Sequence, residues 1–298
     1  MGTWGISIYN HPSPHSLAIA RRADELGFNT IWVGEHLFTP QAYDSRHPYR
    51  PQQDPPVVRD ANDFTDMWVL MGAVLASTRR LRFALGVHVM PLRHPLLTAR
   101  ALTTADELGP GRVILGVGAG WMREEFDALG VPFEERGPRL DEGIAVLRSA
   151  LDGVTSFEGE FFRYKPLVVS AERVEVPIVI GGSTGRALRR AARVADGWYG
   201  PTTLDLDACC RIRQELGRLR NEYGTAQRPF FISVRITPHE PDTARRYDEE
   251  GFDHMVLDGE SIWPTKRSLS LAQKLDVLEE TVDRFGLRER LAASDQLG

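Results

Sequence analysis

Eight alternations of a short β-rich run with a helical pattern, within 298 residues and with no linker-like stretch between halves, predict a (β/α)8 TIM barrel built as one domain, residues 1–298. Several of the β-rich runs are continuously apolar rather than alternating, as strands covered on both faces require. Two stretches are longer than ordinary loops, one after strand two and one before strand five, and read as insertions. A doubly wound open sheet would leave two of the eight units unplaced.

Strand one is Trp4 to Tyr9. The helix from Pro14 to Leu26 takes Ser13 as N-cap, sets Ile19, Ala23 and Leu26 on one face, and ends at Gly27. Strand two, Thr30 to Gly34, leads to a proline-rich insertion from Phe38 to Asp60. The helix after it carries Phe64, Met67, Trp68, Met71 and Leu75 on one stripe. Strand three, Leu81 to Met90, precedes a helix with Leu97, Ala101, Thr104 and Leu108 at helical spacing, closed by Gly109-Pro110.

Strand four opens Val113-Ile114-Leu115-Gly116-Val117-Gly118-Ala119-Gly120-Trp121. Its alternating glycines read as room for a flat or phosphorylated ligand to approach the backbone. The run does not fit G-x-G-x-x-G and lies too far along the chain to open a dinucleotide-binding unit. A short helix around Glu124 to Leu129 follows, then a longer one presenting Leu140, Ile144, Leu147 and Leu151. The hairpin-like insertion Phe157 to Phe162 comes before strand five, Pro177 to Ile180. Gly181-Gly182-Ser183-Thr184-Gly185 opens a helix to Ala195, and strand six is Gly197 to Gly200. A helix with Ile212, Leu216, Leu219 and Tyr223, strand seven at Phe230 to Ile236, strand eight at His254 to Leu257, and a helix bearing Leu271, Leu275, Leu278, Val282 and Phe285 complete the count.

The net charge of -5 and the lack of any basic block predict no nucleic-acid footprint. No apolar run approaches the roughly 18 residues of a membrane span. The amino terminus runs directly into strand-like sequence, so the expected location is cytoplasmic. Cys209 and Cys210, adjacent in a helical segment, make neither a metal spacing nor a disulfide framework and read as buried thiols. Trp32, Trp68 and Trp198 read as core. Metalloprotease and P-loop readings lack their motifs, and no metal site is expected.

In such a barrel the chemistry lies at the carboxyl ends of the strands. The residues there include Asn10-His11, Glu35-His36, Gly86-Val87-His88, Ala119-Gly120-Trp121, Gly181 to Gly185 and Asp258. Glu35-His36 is the most reactive pair, a histidine able to move protons near neutral pH beside a carboxylate that can hold a partner. Glu35 has the alternative of bonding a loop backbone. Gly181 to Gly185, ahead of a helix, offers free amides, a helix dipole and two hydroxyls to a phosphate. Its alternative is an ordinary N-cap, and Arg189 and Arg190 a turn later are either anion-attracting or a solvated face. Trp121 is placed to flank a planar ligand.

Four segments resemble the luciferase-like monooxygenase superfamily, in particular its coenzyme F420-dependent oxidoreductases: Ala20 to His36, Met90 to Arg100, Gly111 to Phe126 and Pro177 to Trp198. The resemblance implies a homodimer with a flavin or deazaflavin ring over the strand ends and, near Gly86-Val87, a non-proline cis peptide against the ring. By position it makes Glu35 the acid that contacts the cofactor and His36 the proton-handling residue. It sets Gly86 and Val87 against the ring, with Gly181, Gly182 and Ser183 at the phosphate. A sugar-phosphate dehydrogenase of the family carries a catalytic glutamate where this chain has Trp121, so that acid is not carried over. The expected activity is hydride transfer between F420 and a small organic substrate, with His36 and Glu35 as catalytic residues. The alternatives are a two-component monooxygenase using FMNH2 and oxygen, or a flavin-binding barrel without catalysis. The insertion, with Tyr43, Arg46, His47, Tyr49 and Arg50, is expected to roof the pocket.

Overall fold

The apolar runs become the staves of a closed barrel. A computed structural model describes residues 2–38, 40–41, 44–49, 65–237, 242–264 and 268–294. Phe64, Tyr43 and Arg50 lie outside the described residues. In chain order the elements are β1 (Thr3–Ile8), α1 (Ser13–Leu26), β2 (Thr30–Val33), α2 (Met67–Ser77), β3 (Arg82–Leu85), β4 (His88–Val89), α3 (Pro95–Leu108), β5 (Val113–Gly118), α4 (Arg123–Ala128) and α5 (Arg136–Leu151). There follow β6 (Val154–Glu158), β7 (Arg163–Val168), β8 (Ile178–Gly181), α6 (Gly185–Val194), β9 (Gly197–Thr203), α7 (Leu206–Glu222), β10 (Phe231–Ile236), α8 (Asp242–Glu249), β11 (His254–Leu257), α9 (Gly259–Ile262), α10 (Leu271–Arg284) and α11 (Leu287–Ser294).

All the barrel pairings are parallel. β1 lies between β2 and β11, the order continues through β10, β9, β8 and β5, and β3 closes the ring by pairing with both β2 and β5. This is the (β/α)8 barrel expected, with β6 and β7 as an antiparallel hairpin outside the ring. Trp32, Ala84, Ile114, Val179, Tyr199 and Val256 point inward and fill the lumen, where the Trp32 and Tyr199 rings stack 4.0 Å apart. The larger core lies between staves and helices, and each fully buried aliphatic side chain there contributes about 1.5–3 kcal/mol.

Several boundaries differ from the sequence reading for local reasons. Pro12, not Ser13, occupies the N-cap of α1, and the Ser13 hydroxyl bonds Thr65 instead. Gly27 does end the helix in the left-handed conformation, φ 92°. The third stave is interrupted by a cis peptide between Gly86 and Val87, so β3 and β4 replace one long strand. The predicted stripe of α3 is its outer face: Leu97 and Leu108 are exposed, while Thr98, Ala99, Leu102, Thr103 and Ala105 face the barrel. Periodicity finds a stripe but does not say which side meets the sheet, and here small residues allow the close approach. The short polar helix α8 was not expected, because only Ala244 and Tyr247 are buried in it. Cys209 is buried and Cys210 only half-buried.

Buried polar groups tie the end of the barrel opposite the mouth. Asp24 accepts the amides of Arg79, Arg80 and Leu81, and Arg112 reaches the carbonyls of Leu75, Thr78, Leu81 and Leu108. With that end closed by such contacts, the concave surface lies at the strands' carboxyl ends.

Candidate active site

A cavity of about 890 Å³ opens there, large enough for a cofactor and a small substrate. Of the residues singled out from sequence, Glu35, His36, Gly86, Val87, Ala119, Gly120, Trp121, Gly181 and Gly182 line it. Ser183 stands off the wall, and its amide donates to the Tyr49 hydroxyl at 3.2 Å.

Gly116 and Gly118 of β5, with Gly120 after it and Gly181 at the end of β8, make room for the protein's own groups. A Cβ on Gly116 would lie 2.0 Å from the Leu85 carbonyl oxygen. One on Gly118 would lie 2.8 Å from Val87 Cγ2, and one on Gly181 2.5 Å from Val87 Cγ1. The two glycines therefore make room for the Val87 side chain at the cis peptide. Gly120, at φ +81°, leaves space for Phe126, whose ring would be 2.7 Å from a Cβ there. These are contacts of protein with protein, and together they shape the wall a ligand would meet.

Glu35 and His36 follow β2 in sequence but do not form a pair. Glu35 Oε2 accepts from His88 Nδ1 at 2.7 Å and from the Val89 amide at 2.8 Å, just past the cis peptide. Burial by itself would raise the Glu35 carboxyl, but His88, its hydrogen bond, the Val89 amide and the Arg93 charge outweigh it and hold the pKa below the ordinary value. His36 takes its carboxylate from elsewhere: Nδ1 lies 3.2 Å from Glu125 Oε2, on α4. Glu125 Oε1 accepts the Leu37 amide at 2.6 Å. Sequence reading passed over Glu125, and the only signal available was a glutamate in the first turn of the helix after the glycine strand.

Aromatic edges complete this side. Trp121 meets the His36 ring edge-on at 5.5 Å and the His47 ring at 5.0 Å. The segment carrying His47 is fastened over the mouth: Glu124 Oε1 accepts the amides of Asp44 and Ser45, and the Ser45 hydroxyl accepts the Arg123 amide. Arg46, His47, Pro48 and Tyr49 line the cavity, so the described part of the insertion does roof it.

The far end is built from backbone. Gly182 adopts φ +122°, Thr184 caps α6 by accepting the Ala187 amide, and Gly185, Arg186 and Arg189 face the cavity. Arg190 is held by Asp141 at 2.8 Å. A phosphate fits this cradle of glycines, a helix amino terminus and two arginines. The five letters from Gly181 to Gly185 also spell G-x-S-x-G. Ser183 nevertheless lacks the strained turn of a nucleophile elbow, since Asn10 is the single non-glycine residue with positive φ among those described.

Below the mouth, Arg235 is buried against Asp258, with Nε 3.1 Å from Oδ1, and donates to the Pro201 carbonyl at 2.9 Å and the Tyr9 hydroxyl at 3.3 Å. Burial disfavours its charge, but Tyr9, Tyr199 and Asp258 outweigh this and raise its pKa. Tyr9 also donates toward the Gly86 carbonyl at 3.3 Å. His36, His88 and Asp258 are thus each engaged by a different partner.

Comparison with known proteins agrees with this architecture. The model of the luciferase-like monooxygenase family matches residues 7–293. An uncharacterized protein of Mycobacterium tuberculosis is 34% identical over 244 residues, covering 81% of this chain and 83% of the relative. The F420-dependent glucose-6-phosphate dehydrogenase of Nakamurella multipartita is 34% identical over 192 residues, 62% of this chain and 51% of that one. Among solved structures, an F420-dependent secondary alcohol dehydrogenase in complex with an F420-acetone adduct superposes with a TM-score of 0.74 at 17% identity, covering 96% of this chain and 99% of that one. The monooxygenase RslO1 from Streptomyces bottropensis gives 0.62 at 21% identity, covering 94% and 81%. At such identities these likenesses carry the fold alone. The family match across nearly the whole chain and the relatives at 34% identity carry the assignment: this chain belongs to the luciferase-like monooxygenase family, with F420-dependent oxidoreductases among its relatives.

Proposed function

We propose that the protein is an oxidoreductase that moves a hydride between coenzyme F420 and a small organic substrate at the mouth of the barrel. The observation that supports this most is the pairing of one polar, proton-competent wall with one backbone-built anion cradle across a single cavity. Bound F420 supplies the hydride acceptor or donor. Gly181, Gly182, the Ser183 region and α6 would hold its phosphate, while Gly86, Val87, Ala119 and Gly120 would hold the ring. Trp121 shapes the substrate side. His36, oriented by its neighbours, takes the substrate proton or returns it, a contribution of about 10²–10⁴ in rate. Glu35 supports the wall through His88 and Val89, so in this reading its part is to hold the cofactor's surroundings rather than to exchange a proton.

The test is anaerobic titration with F420 and with FMN, followed by turnover against a panel of alcohols, enones and imines. F420 binding with oxygen-independent turnover is expected. Product that requires FMNH2 and oxygen would reverse the assignment to a two-component monooxygenase, and tight binding with no turnover of any kind would leave a flavin-binding barrel without catalysis.

The same reading makes the protein a cytoplasmic homodimer. None of the described helices is long and apolar enough to cross a membrane. Val69 on α2 is 72% exposed and Leu97 on α3 59% exposed, and α2 is apolar nearly all round, which suits a helix covered on its outer side too. A second copy packing α2 and α3 against this face would cover both.

A further inference from the structure

We propose that Glu125 is the positioning residue that sets the tautomer of His36, and this rests on the reading of His36 as the proton-handling group. Glu125 is almost wholly buried, its side chain 2% exposed against 19% for His36. Both of its oxygens are used on consecutive residues: Oε1 accepts the Leu37 backbone N–H at 2.6 Å, and Oε2 faces His36 Nδ1 at 3.2 Å. A carboxylate can only accept, so it selects the tautomer with the proton on Nδ1 and leaves the basic lone pair on Nε2. The grip on Leu37 holds the turn after β2, so one side chain fixes both the position of the imidazole and the nitrogen that is basic.

The surrounding chain is built to deliver this carboxylate. Gly120 has no Cβ where Phe126 and Val89 pack, which lets α4 settle against the mouth. Phe126 is fully buried and meets the Phe133 ring edge-on at 5.2 Å, anchoring the helix from the other side. Glu125, its neighbour in the chain, is buried at the cavity wall on the His36 side. Glu35 cannot substitute, because its carboxylate is committed to His88 and Val89.

The decisive variant is Glu125→Gln, nearly the same shape. Its single oxygen is required by the Leu37 amide, so its NH2 group faces His36 Nδ1 and favours the opposite tautomer, with the proton on Nε2. The ¹⁵N shifts of the imidazole, assigned by loss of signal in His36→Asn, read this directly. The expected result is an Nδ1–H ring in the parent protein and an Nε2–H ring in Glu125→Gln. With F420 and a turned-over substrate, kcat should fall roughly ten- to a hundredfold while the Kd for F420 stays within about twofold. Glu125→Asp should recover part of the loss, and Glu125→Gln should add nothing in a His36→Asn background. The same tautomer in both proteins, or an equal loss in the His36→Asn background, would overturn the proposal. If no F420-dependent turnover exists, the function fails while the tautomer measurement still decides the role of Glu125.

Discussion

Two histidines at opposite ends of this barrel sit in opposite surroundings. His254 is the first residue of β11, at the closed end, and is wholly enclosed. Trp32 Nε1 donates to its Nε2 at 3.2 Å, the Thr30 hydroxyl lies 2.8 Å from the same nitrogen, and the Thr3 hydroxyl lies 2.7 Å from Nδ1. Because the Thr3 hydroxyl also reaches the Asp253 carbonyl, the arrangement closes with Nδ1 donating and Nε2 accepting. A second proton would stand against the indole N–H in a dry lumen. Burial first, and the Arg82 charge second, push His254 down to about 3. His36, at the open end, has a carboxylate for its partner and a cavity on its other side. The contrast teaches that the neighbours' hydrogen-bonding character decides whether an imidazole is locked as a neutral strut, like His254, or left beside a carboxylate at a cavity wall, as the proposed proton-handling role of His36 requires.

The sharpest way to break that contrast is His36→Ala. Turnover should fall by about 10²–10⁴, with F420 affinity and thermal stability nearly unchanged. Unchanged turnover would remove His36 from the chemistry. Next in size is His254→Leu, which strands the Trp32 N–H and the Thr30 hydroxyl. A loss of about 2–4 kcal/mol in urea unfolding is expected, with cofactor binding retained.

The third prediction concerns pH and has a definite sign. The folded pKa of about 3 lies below the ordinary 6.5, so between these values the unfolded chain binds a proton that the folded chain refuses. Stability due to His254 is complete above 6.5 and falls as pH drops toward 3, at up to about 1.4 kcal/mol per pH unit. The difference in unfolding free energy between the parent and His254→Leu, measured from pH 7 to pH 4, should shrink with acid; a constant difference would contradict the neutral strut. Smallest in its effect on turnover is Leu97→Glu on the outer face of α3, which should halve the mass in sedimentation while leaving both histidines working. A parent protein that is already monomeric would remove the dimer.

Much of this was legible from residue order. The eight repeats, the Gly27 terminator, the hairpin insertion and the arrival of His36 at a strand end all follow from local pattern. Glu125 was hidden because it lies 89 positions from His36, and nothing local marks a glutamate that will be buried. The stripe on α3 was found with the wrong side inward, since a helix's own period holds no information about where the sheet is. The glycines were recognised as places of close approach, but what approaches is Val87, Leu85 and Phe126 from other segments.

By itself, then, the sequence determined the number and kind of elements, the barrel they form and the end at which chemistry would gather, because propensity, period and capping act over a few residues. Tertiary structure alone decided that His36 pairs with Glu125 rather than Glu35, that Glu35 serves His88, and that His254 is locked as a neutral ring. Those choices depend on closure of the barrel, which sets carboxylates, hydroxyls and indoles from distant strands within 3 Å or so of one another and removes the water that would otherwise compete.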